Sequence, residues 1–168
     1  AIADMEKVDY KEFMTEEGIQ KTIANLEHHG IDSIVVIGGD GSFRGALALN
    51  ARGISVVGIP ATIDNDIPCT DFSIGFDTAV NTVMESVNKL RDTASSHERV
   101  YVVEVMGRNS GYIALYSGLA CGADSILIPE VPYNLDQVCD KIRRAYSAGK
   151  NHNIIMLAEG VGLNPNVK

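Results

Sequence analysis

The sequence predicts an α/β protein built on open parallel sheets of the Rossmann-like kind, with helices on both faces. Three observations carry this. Helical and strand patterns alternate along the chain with short connections. The strand patterns are continuous apolar runs such as Ser33-Ile34-Val35-Val36-Ile37, the mark of a strand buried on both faces. Glycine-rich or polar loops follow these runs, where open parallel sheets bind their ligands.

Residues 1–14 are polar and aperiodic. Thr15 then caps a predicted helix, Glu16 and Glu17 suit its positive end, and Ile19, Ile23 and Leu26 form its apolar face up to Gly30. A strand over 33–37, a helix over 43–51 and a strand over 54–59 follow. Residues 60–75 form the longest irregular stretch, a length that is usually functional or linking. Phe76, Ala79, Val80, Val83, Met84, Val87 and Leu90 then repeat at helical spacing, which predicts core packing. Strands are expected at 100–105, 125–128 and 153–157, with helices at 111–120 and 135–147. The expected division is into two α/β units, 1–75 and 76–168.

The 168 residues suffice for one domain or two small ones. With 45% apolar and 21% charged residues, the composition excludes a disordered tail, a collagen-like rod and a disulfide scaffold. The net charge of −8 argues against non-specific nucleic-acid binding, which needs a basic surface. No apolar run reaches the roughly 20 residues of a membrane span, and the charged start lacks a signal-peptide core. Cys69, Cys121 and Cys139 are widely spaced and show no metal-ligand pairing. They are expected to be reduced packing residues in the cytoplasm.

Three loops at strand ends can carry chemistry, and all are expected to face one crevice. In Gly38-Gly39-Asp40-Gly41-Ser42, glycines let the backbone approach an anion and the next helix offers free amides. An aspartate there makes sense beside phosphate if it holds Mg²⁺; the bland alternative is a glycine turn with Asp40 as a cap. In Thr62-Ile63-Asp64-Asn65-Asp66, one carboxylate can take a proton while the other tunes it; the alternative is turn chemistry. In Met106-Gly107-Arg108-Asn109-Ser110-Gly111, an arginine beside free amides makes an anion site, or else is a surface arginine near a turn. Glu159, before Gly160, can accept from a sugar hydroxyl or simply be solvated. Metal, base and cation around a phosphate together suit phosphoryl transfer.

These motifs, with Pro60-Ala61 before the second and Ile74-Gly75-Phe76-Asp77-Thr78-Ala79 and Leu90-Arg91-Asp92-Thr93-Ala94-Ser95-Ser96-His97 between, closely resemble the bacterial-type 6-phosphofructokinase family. The resemblance runs from Glu12 to Gly160. It implies ATP-dependent phosphorylation of fructose 6-phosphate in glycolysis by a cytoplasmic, allosteric tetramer. It implies Asp64 as general base, Asp66 as supporting acid, Arg108 as catalytic cation and Asp40 as the magnesium-linked aspartate. Gly39, Gly41, Ser42 and Gly45 match the nucleotide side. Thr62, Arg99, Met106, Gly107, Arg108 and Glu159 match sugar-phosphate contacts, Arg99 reaching in from a neighbouring subunit. Arg91, Asp124, Lys150 and His152 match an effector site; on residue chemistry alone each reads as surface solvation.

Pyrophosphate-dependent relatives carry Asp where Gly41 stands and Lys where Ala61 stands. Gly41 leaves room for the nucleotide's α-phosphate, so ATP is the expected donor, although Ala61 departs from the glycine usual in ATP enzymes. The family's first strand and glycine-rich nucleotide loop, an arginine-bearing segment before Glu12 (6–10 does not supply it) and its C-terminal segment are not matched. The isolated chain is therefore expected to be an incomplete catalytic fragment. The competing expectations are a non-catalytic phosphate-binding fragment, a pyrophosphate-dependent enzyme, or an NAD or diacylglycerol kinase, which shares only the first motif.

Overall fold

The computed structural model describes residues 10–161, so the expectations for residues 1–9 lie outside the described residues. The chain divides into two compact units, Ala1–Ala61 and Thr62–Lys168.

The first unit holds α1 (Tyr10–Phe13), α2 (Glu16–His28), β1 (Ser33–Gly38), α3 (Asp40–Asn50) and most of β2 (Ser55–Thr62). Thr15 caps α2 as expected: its hydroxyl oxygen accepts from the Gly18 N–H. β1 and β2 run parallel, Val35 beside Val57 and Ile37 beside Ile59. Ile19, Leu26, Leu49 and Ile54 form the core, with Phe13, Ile34 and Val56 packed against it. That core covers one face of the strands only. Val35, Ile37 and Val57 are exposed, so here the expectation of burial on both faces fails. An apolar run is compatible with either one or two covered faces, and only the helices of the unit decide between them. Among the described residues, α2 and α3 pack on the Ile34 and Val56 side.

The second unit contains β3 (Ile74–Gly75), α4 (Phe76–His97), β4 (Val100–Val105), α5 (Tyr112–Ala120), β5 (Ser125–Leu127), α6 (Leu135–Ser147) and β6 (Asn153–Ala158). Its sheet has the order β4-β6-β5, all parallel. Every residue of β6 is buried, and because alternate side chains point to opposite faces, both faces of the central strand are covered. Edge strand β4 leaves Val100 and Val102 exposed. The α4 stripe packs as predicted: Phe76 and Val87 are fully buried, and Ala79, Val80, Val83 and Met84 lie against the same core. Of the cysteines, only Cys121 is a packing residue; Cys69 and Cys139 are exposed. No described helix is long and apolar enough to cross a membrane.

Two boundaries shift in ways that matter for the site. β2 runs through Pro60 to Thr62, which shortens the irregular stretch to residues 63–73. α3 begins at Asp40, three residues early, so Asp40, Gly41 and Ser42 form its first turn rather than a loop.

Candidate functional site

The first unit offers the N-terminus of α3. Gly39 is its N-cap with no side-chain cap bond, so Asp40 is not the cap. The first-turn amides point off the end of the helix, and Asp40 is favourably placed beside its positive pole. The Asp40 carboxylate pairs with Arg44 one turn on, Nη2 to Oδ2 at 2.9 Å. Both groups are exposed, so the pair contributes little and leaves the carboxylate open to a cation. Gly38 is required by close approach, since a Cβ there would overlap the Ser42 side chain. Gly45 is buried, and its missing side chain makes room for the Phe13 ring.

The second unit brings together Asp64, Asp66, Arg108 and Glu159, contributed by the loop after β2, the turn after β4 and the residue after β6. Asp64 is buried. Its N–H donates to Thr62 Oγ1 at 3.2 Å, and its carbonyl accepts from the buried Ser110 hydroxyl at 2.9 Å. Its carboxylate lies 3.8 Å from Arg108 Nε. Burial pushes the Asp64 carboxyl above the usual carboxylate range. The charges of Asp66 and Glu159 push the same way, and Arg108 opposes them. The result is an acid strengthened as a base without losing its cation neighbour.

The turn carrying Arg108 is built differently from expectation. Its amides are not free. Glu159 Oε1 accepts from the N–H groups of Gly107 (2.9 Å) and Arg108 (2.6 Å), and Glu130 Oε1 accepts from that of Gly111 (2.7 Å). A single carboxylate oxygen thus fills the position expected for an external anion. Arg108 itself has φ 51, a left-handed conformation that costs an L-residue energy unless its surroundings impose it. Gly160 makes room for this turn, because any Cβ there would overlap the Arg108 carbonyl oxygen. The Arg108 side chain remains 78% exposed. Met106 is exposed beside it, at the end of an open apolar cleft of about 570 Å³ lined by Ile63, Val83, Val105 and Ile113.

Arg99 is exposed. The four effector candidates are not simply solvated. Lys150 pairs with the Asp124 carboxylate, which also accepts from the Ile154 N–H at 2.9 Å, and Lys141 donates to the Asp124 carbonyl. Arg91 Nη2 donates to the Cys121 carbonyl, while its Nε is buried without a partner. His152 Nδ1 lies 3.0 Å from Asn151 Oδ1. Burial pushes the Asp124 carboxyl up, but the Lys150 and Ile154 hydrogen bonds and the lysine charges together hold it below the usual range. A folded value below the unfolded one makes its contribution to stability present above the ordinary carboxylate range and lost as pH falls through the folded value. Urea unfolding of wild type and Asp124→Asn should therefore differ at pH 7 and converge below about pH 4. A gap that widens in acid would contradict this.

Cys69, in the loop after Asp64, is exposed and has φ 59. Glycine adopts that conformation without the 1–2 kcal/mol steric cost. After its greater entropy loss, Cys69→Gly should stabilise the chain by about 0.5–1 kcal/mol. Thermal unfolding measures this, and a lowered midpoint would show that the cysteine side chain contributes.

A carboxylate held as a base, a cation beside it and a helix N-terminus elsewhere in a parallel α/β chain are the equipment of a phosphate-handling protein. The chain belongs to the phosphofructokinase family: the family model, Phosphofructokinase, matches residues 5–167. It is 62% identical over 151 residues to an ATP-dependent 6-phosphofructokinase of Bacillus pumilus, which covers 90% of this chain and 47% of that relative. The chain thus spans about half the length of the curated relatives it matches. Among solved structures it is similar to Pichia pastoris phosphofructokinase in the T-state, with TM-score 0.82, 36% identity and coverage of 89% of this chain and 19% of that one. It is less similar to a pyrophosphate-dependent phosphofructokinase from Marinobacter aquaeolei, with TM-score 0.70, 25% identity and coverage of 87% of this chain and 41% of that one.

Proposed function

We propose that the full-length protein transfers the terminal phosphoryl group of ATP to the 1-hydroxyl of fructose 6-phosphate, a cytoplasmic step of glycolysis. The observation that carries this is the buried Asp64 carboxylate 3.8 Å from Arg108, in a chain of this family. Asp64 takes the proton of the attacking hydroxyl, and burial keeps its affinity for that proton high. Arg108 offsets charge on the phosphoryl oxygens, and Asp66 tunes Asp64. Glu159 spends Oε1 on the Gly107–Arg108 turn, leaving Oε2 to accept from a sugar hydroxyl. Thr62, Met106 and Gly107 line the sugar-phosphate side, and Arg99 serves a neighbouring subunit of a tetramer.

The nucleotide phosphates meet the first-turn amides of α3 at Gly39, Asp40, Gly41 and Ser42. Gly45 supports them from the next turn, where it seats Phe13. Among the described residues no cluster of three or more metal-ligating side chains exists. Mg²⁺ bound in this way needs only one or two carboxylates plus substrate phosphates, and the exposed Asp40 fits that donor set. When bound, Mg²⁺ would neutralise phosphate charge. With the division at 75/76, residues 1–75 hold the nucleotide and metal groups and 76–168 the sugar-phosphate contacts, except that Thr62, Asp64 and Asp66 of the first range also serve the sugar phosphate. Arg91, Asp124, Lys150 and His152 form the effector site.

Coupled assays on the full-length protein test the donor and the acceptor together. Turnover with ATP and fructose 6-phosphate, and little with pyrophosphate, is expected. Turnover with pyrophosphate alone, or phosphorylation of NAD or a diacylglycerol instead of the sugar, would overturn the proposal.

A further inference from the structure

We infer that Asn65 is a positioning residue whose side-chain amide clasps the loop bearing Asp64 and so fixes the direction of that carboxylate. Six polar residues are buried among those described, and four of them, Asp64, Asn65, Ser73 and Ser110, lie in this one loop and its anchor. Buried polar groups are costly unless paired, and these are paired with one another. Asn65 Oδ1 accepts from the Ser73 N–H at 2.8 Å, and its Nδ2 donates to the Asp71 carbonyl at 3.1 Å. The Ser73 hydroxyl donates to the Thr62 carbonyl at 2.6 Å, closing the loop at its base. The clasp needs both ends of an amide, one donor and one acceptor. It also needs a residue tolerant of φ 52, which asparagine is. Between 63 and 73 there is no helix or strand to hold Asp64 in place, so the clasp substitutes for one.

The inference rests on the proposed phosphoryl transfer, and its test separates the two. In the full-length protein, Asn65→Gly tolerates the same φ and removes the clasp. It is expected to lower kcat about 10–100-fold with KM for ATP unchanged, as a misdirected catalytic group does. Its pH profile supplies a readout that lost stability alone does not move. The groups facing the Asp64 carboxyl are Asp66, Arg108 and Glu159, all unchanged in the variant, while burial is the largest cause of its raised value. An opened loop admits water, so the acid limb of kcat should move to lower pH. Ser73→Ala should show a smaller loss of the same kind, and Ser73→Thr, which keeps the hydroxyl, should restore the rate.

Wild-type kcat and acid limb in Asn65→Gly would overturn the clasp. If Asn65→Gly does not fold, Asn65→Asp, which keeps the acceptor for the Ser73 N–H and loses the donor to the Asp71 carbonyl, decides on kcat, and a wild-type rate there would overturn the clasp. A wild type inactive on fructose 6-phosphate, or an Asp64→Asn variant as fast as wild type, overturns the function instead, and the clasp falls with it.

Discussion

Asp64→Asn is expected to lower kcat of the full-length protein about 10²–10⁴-fold, the usual contribution of a positioned general base. The amide has the shape of the carboxylate and cannot take the proton. Arg108, already 78% exposed, loses a partner it scarcely needs for stability. The same substitution should not lower the thermal midpoint at pH 7. Burial raises the folded value of Asp64 above the unfolded one, so the native state holds its proton more tightly. The stability that Asp64 contributes is therefore present in acid and is lost as pH rises through the folded value. At neutral pH the ionised group costs stability, and Asn65's neighbour as an amide would not. The pair of measurements, a coupled assay and a melting curve, thus has opposite expected signs for activity and stability. A variant with wild-type turnover would remove Asp64 from the role of base. A variant with lost turnover and a much lower midpoint would show that the carboxylate is structural.

Gly160→Ala should be among the most damaging single methyls in the second unit. Its Cβ would overlap the Arg108 carbonyl oxygen and stand 3.1 Å from Asn109 Cα. These are backbone atoms, so no side-chain rotation relieves the contact. The turn must move, and with it the two amides that Glu159 holds. Overpacking of this kind typically costs about 1–3 kcal/mol, and displacing Arg108 by about an ångström is enough to cost about 10²-fold in kcat. Melting curves and the same coupled assay read both. A variant with wild-type midpoint and turnover would show that the turn can slide without consequence.

The order of elements was legible in the sequence because it rests on local periodicity. The α4 stripe from Phe76 to Val87 and the Thr15 cap depend on neighbours within a few turns, and they fold as their spacing dictates. The start of α3 was not legible, since the two glycines and Asp40 read as loop residues until the strand before them fixes where the helix begins. Nor was the open face of β1 and β2, because an apolar run does not say how many faces will be covered.

The site divides in the same way. Sequence by itself determined the chemical inventory: Asp64 and Asp66 in one loop, Arg108 in a glycine turn, Asp40 at a glycine-rich helix start, and the family they belong to. Tertiary structure alone decided what those groups can do. Glu159 reaches the Arg108 amide across 51 positions, Ser110 reaches the Asp64 carbonyl across 46, and Lys150 meets Asp124 across 26. The raised affinity of Asp64 for its proton comes first from burial, which its own motif does not encode, then from Asp66 within the motif, and least from Glu159, 95 positions away in the chain. Periodicity and turn chemistry act over a few residues, whereas burial and charge act through space, and only the folded chain brings distant positions within their range.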